Sequence, residues 1–245
     1  MKLSNHTLHY KRDAELFDYF EERSGADNDA TLRIQQAVFH QAHPVPGDRV
    51  IDVGSGNGWL ALELHRKGHD KPVLIDIGLK NLKRFRELYG PVAHCVAADA
   101  TLLPFRDASF SLFVCSEVLE HLNEPAIALG EARRVLSEQG RCVLSTPWRE
   151  TLRYSLCIHC NQKTPLNAHI HSFDETQLQL MFETAGFSGI RYRLHGNKLF
   201  IYSRASFFLR VLPYSIWRML DRFCNLFFRK CTTIVVRAMR RTAYT

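Results

Sequence analysis

A glycine-rich turn after a short apolar run is the feature that most constrains the fold of this chain. Residues 50–58 read VIDVGSGNG, and residues 59–66 suit a helix. Only glycine adopts φ > 0 and lets a ligand approach the backbone closely without a steric cost. A strand, a glycine turn and a helix together place that ligand against the N–H groups of the helix N-terminus. The stretch therefore predicts a ligand site at the end of a strand in an α/β fold.

A second apolar strand supplies an acid at the spacing that such a site needs. Residues 73–75 read VLI and lead into Asp76, which lies 22 residues after Gly54. In a doubly wound sheet, an acid about 20 residues after the turn meets the hydroxyl groups of a ribose. The nicotinamide fingerprint also requires a third glycine for helix–strand packing. That position is Trp59, so a nicotinamide oxidoreductase is disfavoured.

An acid two residues before the first glycine points to a different class of cofactor site. The pattern Asp52-x-Gly54-x-Gly56-x-Gly58 resembles that of the class I S-adenosylmethionine-dependent methyltransferases, and in particular the type 11 small-molecule methyltransferases. Further motifs follow in the family's order, and they comprise residues 96–100 (VAADA), 102–105 (LLPF), 107–114 (DASFSLFV), 116–122 (SEVLEHL), 131–136 (EARRVL) and 140–147 (GRCVLSTP). The resemblance covers residues 45–195 closely and the rest loosely.

The resemblance implies roles for residues around the cofactor S-adenosyl-L-methionine. Asp52 attracts its amino group, Asp76 accepts from both ribose hydroxyls, and Asp99 accepts from the adenine amino group. Glu117 lies near the sulfonium. The complete predicted cofactor set is Asp52, Gly54, Ser55, Gly56, Asn57, Gly58, Asp76, Ile77, Asp99, Ala100, Ser116 and Glu117.

Histidines are the candidates for proton transfer. The cofactor carries an activated methyl group, so the protein mainly aligns an in-line displacement, to which proximity and orientation contribute up to about 7–11 kcal/mol. If the acceptor is a hydroxyl group, a base adds roughly 10²–10⁴-fold. His121, His169 and His195 are the candidates for that base, and we select His121 and His169 as predicted catalytic residues. For each of the three, a structural role is the alternative interpretation.

Alternating strands and helices up to Pro147 predict right-handed crossovers and a parallel sheet. The expected fold is an α/β, Rossmann-like, doubly wound sheet of seven strands with helices on both faces. The resemblance implies that its last strand runs antiparallel. One methyltransferase domain over residues 1–245 is expected, with a helical cap (1–44), a cofactor-binding core (45–147), a Cys/His loop (148–172), a helical insertion (198–230) and a last strand and tail (231–245).

Local signals predict the elements outside the cofactor-binding core. Two N-terminal helices are expected, at residues 13–22 and 29–42. A capping-box pattern at residues 172–175 opens a helix to about Ala185. Strands are expected at residues 190–194 and, from the β-branched residues, at 232–238. From the first helix, the side chains expected to cover the cofactor are Leu16, Phe17, Tyr19 and Phe20; padding of the sheet edge is the alternative.

The composition is that of a globular chain, with 46% hydrophobic and 23% charged residues. The sequence contains no run of 18 uncharged apolar residues, so no transmembrane helix is predicted. Residues 1–6 lack the apolar core of a signal peptide. Of the seven cysteines, Cys95, Cys115 and Cys142 lie in or beside predicted strands, where a free thiol acts as a small hydrophobe. We therefore expect a cytoplasmic, reducing location.

Positive charge is concentrated in the last fifth of the chain. Residues 198–245 contain ten Lys and Arg against one acid, Asp221, which gives this segment a net charge of +9. The whole chain carries +7, so residues 1–197 carry −2. Because no DNA or RNA recognition motif accompanies the basic segment, we expect no nucleic-acid partner.

The Cys/His loop contains donors that could hold a metal. Cys157 and Cys160 form a Cys-x₂-Cys pair, and His169 and His171 follow within 15 residues. Two sulfurs and two nitrogens suit tetrahedral zinc, which would be structural and would pin the loop after the fifth strand. Cysteines without a metal and a redox-active pair are the alternatives.

The insertion at residues 198–230 is strongly amphipathic. On a helical wheel, residues 216–229 place apolar side chains on one face, namely Ile216, Met219, Leu220, Phe223, Leu226 and Phe227. Basic and polar side chains lie opposite, namely Arg218, Asp221, Arg222, Asn225 and Arg229. One interpretation is a helix packed on the sheet with its arginines in water. The others are an interfacial helix on an anionic membrane and a lid over an apolar substrate.

These features predict S-adenosylmethionine-dependent methyl transfer to a small acceptor, and the apolar, basic insertion favours a hydrophobic, quinone-like or lipid-linked one. The acceptor atom cannot be read from the scaffold, since fold does not determine substrate. The alternative functions are a non-catalytic relative that binds cofactor to stabilise a partner, and an interaction module organised by a zinc loop.

Overall fold

Seven strands form one sheet. The structure is a computed structural model that describes residues 6–21, 26–202, 209 and 211–242. The strands of the sheet are β1 (Val50–Val53), β2 (Val73–Asp76), β3 (His94–Ala97), β4 (Phe110–Ser116), β5 (Leu136–Pro147), β8 (Phe187–Asn197) and β9 (Cys231–Arg240). Their order is β3-β2-β1-β4-β5-β9-β8, and all neighbouring strands pair in parallel except β9, which is antiparallel to both β5 and β8. The predicted sheet of seven strands with an antiparallel last strand is confirmed.

Helices connect these strands and cover the sheet. They are α1 (His6–Leu16), α2 (Ala26–Ala42), α3 (Trp59–Arg66), α4 (Leu79–Tyr89), α5 (Pro125–Val135), α6 (Glu175–Thr184), α7 (Lys198–Tyr202) and α8 (Tyr214–Phe227). Two 3-10 turns span Leu119–His121 and Leu166–Ala168, and a separate hairpin pairs β6 (Tyr154–Leu156) with β7 (Lys163–Pro165). Within the described ranges, no helix is long and apolar enough to cross a membrane.

Strand β1 is apolar along most of its length because both of its faces are covered. Val50 belongs to an apolar cluster with Leu64 of α3. The next residue, Ile51, belongs to the cluster on the other face, together with Leu129 of α5. The sheet is therefore sandwiched between two apolar layers, which fixes the carboxyl ends of its strands as one rigid edge.

The first helix differs from the prediction. It spans His6–Leu16 rather than residues 13–22, because the chain turns at Asp18, whose carboxylate accepts a hydrogen bond from the Phe20 backbone N–H at 2.9 Å. Such local side-chain bonds compete with helix continuation. The second helix begins at Ala26 instead of residue 29 and ends at residue 42, as predicted.

The capping box of α6 lies two residues beyond the predicted one. Asp174, not Ser172, is the N-cap: its carboxylate accepts from the Gln177 N–H at 2.9 Å, and the Gln177 side chain accepts from the Asp174 N–H at 3.1 Å. An Asp followed three residues later by Gln forms the same reciprocal capping box that was predicted to begin at Ser172.

Strands β8 and β9, which flank the insertion, are both longer than predicted, because they pair with each other over most of their length.

Helix α8 is turned opposite to the packed-helix interpretation. Trp217 and Asp221 are buried against the protein, whereas five of the six side chains of the predicted apolar face are exposed and Leu220 is half-buried. The five exposed side chains are Ile216, Met219, Phe223, Leu226 and Phe227. The interpretation in which this apolar face packs on the sheet is therefore wrong, because the helix packs through the side that carries Trp217 and Asp221.

Candidate active site

A cavity of about 1090 Å³ opens at the carboxyl ends of β1 to β4. It lies where ligands bind in open α/β sheets, and its volume is at the upper end of the range of roughly 300–1,000 Å³ for small-molecule sites. The predicted site residues that line it are Gly54, Gly56, Asp76, Ile77, Asp99, Ala100, Glu117 and His121. Five other predicted cofactor residues, Asp52, Ser55, Asn57, Gly58 and Ser116, lie behind this wall.

At two of the three glycines in the turn after β1, there is no room for a side chain. Gly54 has a φ of +75°, and a Cβ atom there would lie 2.2 Å from Cγ2 of Val118. Gly58 has a φ of +73°, and its Cβ atom would lie 2.3 Å from the Phe85 ring. Gly54 thus exposes its backbone on the cavity wall. Gly58, and not residue 59, is the glycine that allows close packing between the turn and its neighbours.

Asp76, at the end of β2, is held in place by backbone N–H groups on both sides. Its Oδ2 atom accepts from Gly56 at 2.9 Å, and its Oδ1 atom accepts from Gly78 at 2.7 Å. Burial raises the pKa of this carboxyl, and the two backbone hydrogen bonds oppose that rise. The carboxylate therefore lies fixed on the cavity wall at the position predicted for ribose recognition.

Asp52 is a buried acid with an unused oxygen. Its carboxyl is 2% exposed, and its Oδ2 atom has no hydrogen-bond partner among the described residues. Burial, and then the charge of Asp76, raise the pKa of Asp52 to about 7. Buried polar atoms are normally satisfied, so this orphaned oxygen fits a cationic amino group bound at the turn.

The segment after β3 presents a second oriented acid. Oδ1 of Asp99 accepts from both the backbone N–H and the hydroxyl of Thr101, at 2.8 and 2.7 Å. These bonds fix the carboxyl on the cavity wall beside Ala100. Asp76 is the last residue of β2, and Asp99 follows the neighbouring strand β3. One elongated ligand in the cavity can therefore contact both acids.

Glu117 follows β4 in a left-handed backbone conformation, with a φ of +55°. This conformation is strained for a residue with a side chain and is common at functional sites. Its carboxylate accepts from the Ser145 hydroxyl at 2.8 Å, and Ser145 also lies 2.9 Å from the Ser116 hydroxyl. Burial raises the pKa of Glu117 to about 7. Ser116 thus supports Glu117 from behind the cavity wall.

Two of the three candidate histidines come together. The rings of His121 and His169 contact edge to face, with centroids 4.7 Å apart, and His121 lines the cavity. Burial and the neighbouring His169 lower the pKa of His121 to about 4, so it is neutral at pH 7 and is a weak base. His195 lies on β8, does not line the cavity, and is a buried ring whose pKa desolvation lowers to about 4.

The predicted Cys/His metal set is not assembled. His169 Nδ1 lies 2.5 Å from Oε2 of Glu150, and Nε2 of His171 bonds the Leu122 carbonyl at 2.9 Å. Cys160 is exposed at the turn of the β6–β7 hairpin. Over the part of the chain that is described, one group of three or more metal-binding side chains has its donor atoms within 4.8 Å of one another, and it consists of Glu120, His121 and His169.

The N-terminal segment closes the cavity with residues that the sequence analysis missed. Tyr10 and Asp13 line it from α1, and the Tyr10 hydroxyl donates to the Ala168 carbonyl at 3.2 Å. Of the four predicted covering side chains, Phe17 and Tyr19 line the cavity. Leu16 is exposed, and Phe20 packs against an apolar cluster that includes Leu82 and Phe85 of α4. Because α1 has no pronounced apolar face, nothing in its sequence marks Tyr10 and Asp13 as lining residues.

The doubly wound sheet and the acids on its cavity wall are those of the class of proteins that bind a cofactor with an adenosyl group. A family described as a methyltransferase domain matches residues 51–144. A demethylmenaquinone methyltransferase of Renibacterium salmoninarum is 34% identical over 137 residues, which are 54% of this chain and 57% of that protein. A ubiquinone biosynthesis O-methyltransferase of Psychrobacter cryohalolentis is 32% identical over 125 residues, which are 46% of each protein.

Solved structures agree on the fold. An S-adenosylmethionine-dependent methyltransferase from Mesorhizobium loti superposes with a TM-score of 0.64 at 19% identity, over 88% of this chain and 100% of that one. The match over residues 51–144, these relatives and the shared fold support a class I S-adenosylmethionine-dependent methyltransferase domain. It spans about half the length of the curated relatives that it matches.

Proposed function

We propose that this protein transfers a methyl group from S-adenosylmethionine to a small, apolar, quinone-type or lipid-linked acceptor at a membrane surface. The observation that carries the methyl transfer is the convergence of Gly54, Asp76 and Asp99 on one cavity, with the orphaned Asp52 oxygen behind the turn. Two similar proteins are named for methylation in menaquinone and ubiquinone biosynthesis. These names support the acceptor class.

The chain's residues divide the work of binding and proton handling. The cofactor supplies an activated methyl group. Asp76 and Asp99 orient it through hydrogen bonds, and Asp52 offers a negative charge to its amino group. Glu117 lines the same cavity, and its pKa near 7 suits it to hold a proton from the acceptor at neutral pH. Tyr10 and Phe17 exclude water on the acceptor side.

Calorimetric titration of the protein with S-adenosylhomocysteine, in parallel with NAD, tests the cofactor assignment. We expect binding of the adenosyl compound alone, weakened at least about tenfold by Asp76→Ala because two charge-assisted hydrogen bonds are lost. Asp70→Ala is the matched control, since Asp70 is exposed in the loop before β2. Binding of NAD, or equal affinity in both variants, would refute the assignment.

The membrane part of the proposal is supported by the way α8 is anchored. Asp221 is fully buried, and its Oδ1 atom accepts from the Asn197 N–H at 2.7 Å. Asn225 donates to its Oδ2 atom at 3.2 Å, while the Asn197 side chain donates to Asn225 at 2.6 Å. On the same side, the Trp217 ring lies 5.1 Å from the guanidinium of Arg33. These bonds fix the rotation of α8 about its axis.

The outward face of α8 is both apolar and cationic. Phe223 is 59% exposed and Leu226 is 80% exposed. The segment's acid, Asp221, points inward, so the exposed charges of residues 211–230 are positive, and they include Arg222 and Lys230. An apolar face with a basic border is the combination that binds anionic lipid surfaces. No described residue of residues 198–230 lines the cavity, so the lid interpretation is not supported.

Flotation with phosphatidylcholine vesicles, prepared with and without phosphatidylglycerol, tests this contact. We expect flotation with the anionic vesicles, and its loss in the double variant Phe223→Ser, Phe227→Ser. Leu180→Ser is the control, because Leu180 is an equally exposed apolar residue on α6. Failure of the wild-type protein to float, or equal loss in the control, would remove the membrane contact and leave the cofactor assignment intact.

A further inference from the structure

A compact cluster of one carboxylate and two imidazoles adjoins the cavity, which His121 lines. Glu120 and His121 belong to the 3-10 turn after β4, and His169 follows the second 3-10 turn. The two segments are joined through the backbone, because the N–H groups of Ile170 and His171 donate to the Glu120 carbonyl at 3.0 and 3.2 Å. The donor atoms of the three side chains lie within 4.8 Å of one another.

Glu120 aims an unsatisfied oxygen into this cluster. Its carboxyl is 1% exposed, and Oε2 accepts from the Thr146 hydroxyl at 2.9 Å. Its Oε1 atom is buried without a hydrogen-bond partner among the described residues, and it lies 3.9 Å from Nε2 of His121. Leaving a buried carboxylate oxygen unpaired is unfavourable, so the site is incomplete as it stands.

Each imidazole has an acceptor oxygen near its Nδ1 atom, as metal-binding histidines usually do. Nδ1 of His121 lies 3.4 Å from the Ala168 carbonyl, and Nδ1 of His169 lies 2.5 Å from Oε2 of Glu150. In the tautomers that donate through Nδ1, the lone pair of each ring lies on Nε2. A ring N–H held by a carbonyl or carboxylate is the usual outer contact of a metal-binding histidine.

We propose that Glu120, His121 and His169 bind a divalent cation in an open, three-ligand site. Two imidazoles and one carboxylate, with positions left for water or substrate, form a donor set that takes Zn²⁺, Mn²⁺ or Co²⁺. Ligands about 2.1 Å from such an ion lie about 3–3.5 Å apart. The three side chains therefore need to close by roughly an ångström.

His121 lines the cofactor cavity, which gives the cation a role on the acceptor side. It would bind an acceptor hydroxyl and lower that group's pKa, as a Lewis acid does. This role rests on the proposed function, whereas the binding of the ion does not.

Titration of the full chain with Mn²⁺, followed by electron paramagnetic resonance without cofactor or acceptor, tests the site. Mn²⁺ is chosen because the thiolates of Cys157 and Cys160 bind it poorly. We expect one bound ion per chain, with affinity reduced at least about tenfold by His169→Ala and by Glu120→Gln, since even outer contacts contribute 10–100-fold. His171→Ala is the matched control, because this second histidine of the His-x-His pair bonds the Leu122 carbonyl outside the cluster.

The possible outcomes separate this site from the proposed function. Mn²⁺ binding that His171→Ala weakens as much as His169→Ala, or no Mn²⁺ binding by a protein that binds S-adenosylhomocysteine, overturns the metal site alone. Mn²⁺ binding without S-adenosylhomocysteine binding supports the metal site and contradicts the proposed function. His121→Asn is the second ligand variant if Glu120→Gln does not fold, as judged by its circular dichroism and melting curve.

Discussion

The glycine turn after β1 and helix α8 are both fixed in place, but by opposite means. The turn is fixed by steric fit: at Gly54 and Gly58 the neighbouring side chains leave no space for a Cβ atom. Helix α8 is fixed by polar bonds to the buried Asp221 and by the buried Trp217, while five of its other apolar side chains face outward. The first arrangement tolerates almost no substitution, whereas the second leaves a whole face free to change.

The largest difference between the two regions should come from adding a methyl group to the turn. Gly54→Ala combines left-handed strain of about 1–2 kcal/mol with overpacking of about 1–3 kcal/mol, because its Cβ atom would lie against Val118. We expect a loss of roughly 2–5 kcal/mol in the free energy of unfolding, measured in urea. Gly68→Ala is the control, since Gly68 has the same φ of +75° with nothing within 4 Å. Equal losses in the two variants would show that the steric argument is wrong.

A second prediction concerns the acid behind the turn. Burial raises the pKa of Asp52 from 3.8 to about 7. Between these values the folded chain holds a proton that the unfolded chain has released. The free energy of unfolding therefore falls as pH rises from about 4 to about 7. Asp52→Asn removes this dependence and should stabilise the protein at about pH 8 by up to about 4 kcal/mol, since one pKa unit corresponds to 1.36 kcal/mol.

The same substitution should weaken S-adenosylhomocysteine binding about tenfold or more, because the amino group loses its charged partner. Urea unfolding across this pH range and calorimetric titration measure the two effects. Asp70→Asn, at an exposed site, should change neither quantity. A variant less stable than the wild type at about pH 8 would contradict the buried, unpaired state of Asp52.

The smallest effect is expected at α8. Asp221→Ala leaves the buried Asn197 N–H without its acceptor, which should cost about 1–3 kcal/mol. The neighbouring Arg222→Ala, at an exposed position, should stay within about 0.5 kcal/mol. Hydrogen exchange should place the faster opening of Asp221→Ala in α8 and not in the strands around the glycine turn. Faster exchange throughout the sheet would show that α8 is part of the core.

The sequence predicted the cofactor half well because its signals are local. A turn that needs φ > 0, and acids that directly follow strands, can be read from neighbouring residues, and Gly54, Asp76 and Asp99 lie where they were expected. The predicted bounds of α1 were wrong, and its early end follows from the Asp18 carboxylate, which redirects the backbone after Leu16.

The orientation of α8 and the neighbours of His169 could not be predicted from the sequence, because they depend on contacts between distant segments. Helical periodicity identifies an apolar face of α8 but not the direction in which it points, and a bond from Asn197, 24 residues away, sets that direction. Similarly, spacing grouped His169 with the cysteines, whereas the fold places it beside Glu120 and His121.

The position of β9 has a consequence for biosynthesis. This strand comes after all the other described strands in sequence, yet it lies between β5 and β8 and joins them. A ribosome that has released residues 1–230 has therefore exposed β8 without its partner and left the β5 edge open, and unpaired strand edges are prone to association. The edges of β5 and β8 can therefore be covered by their own partner only after residues 231–240 have left the exit tunnel.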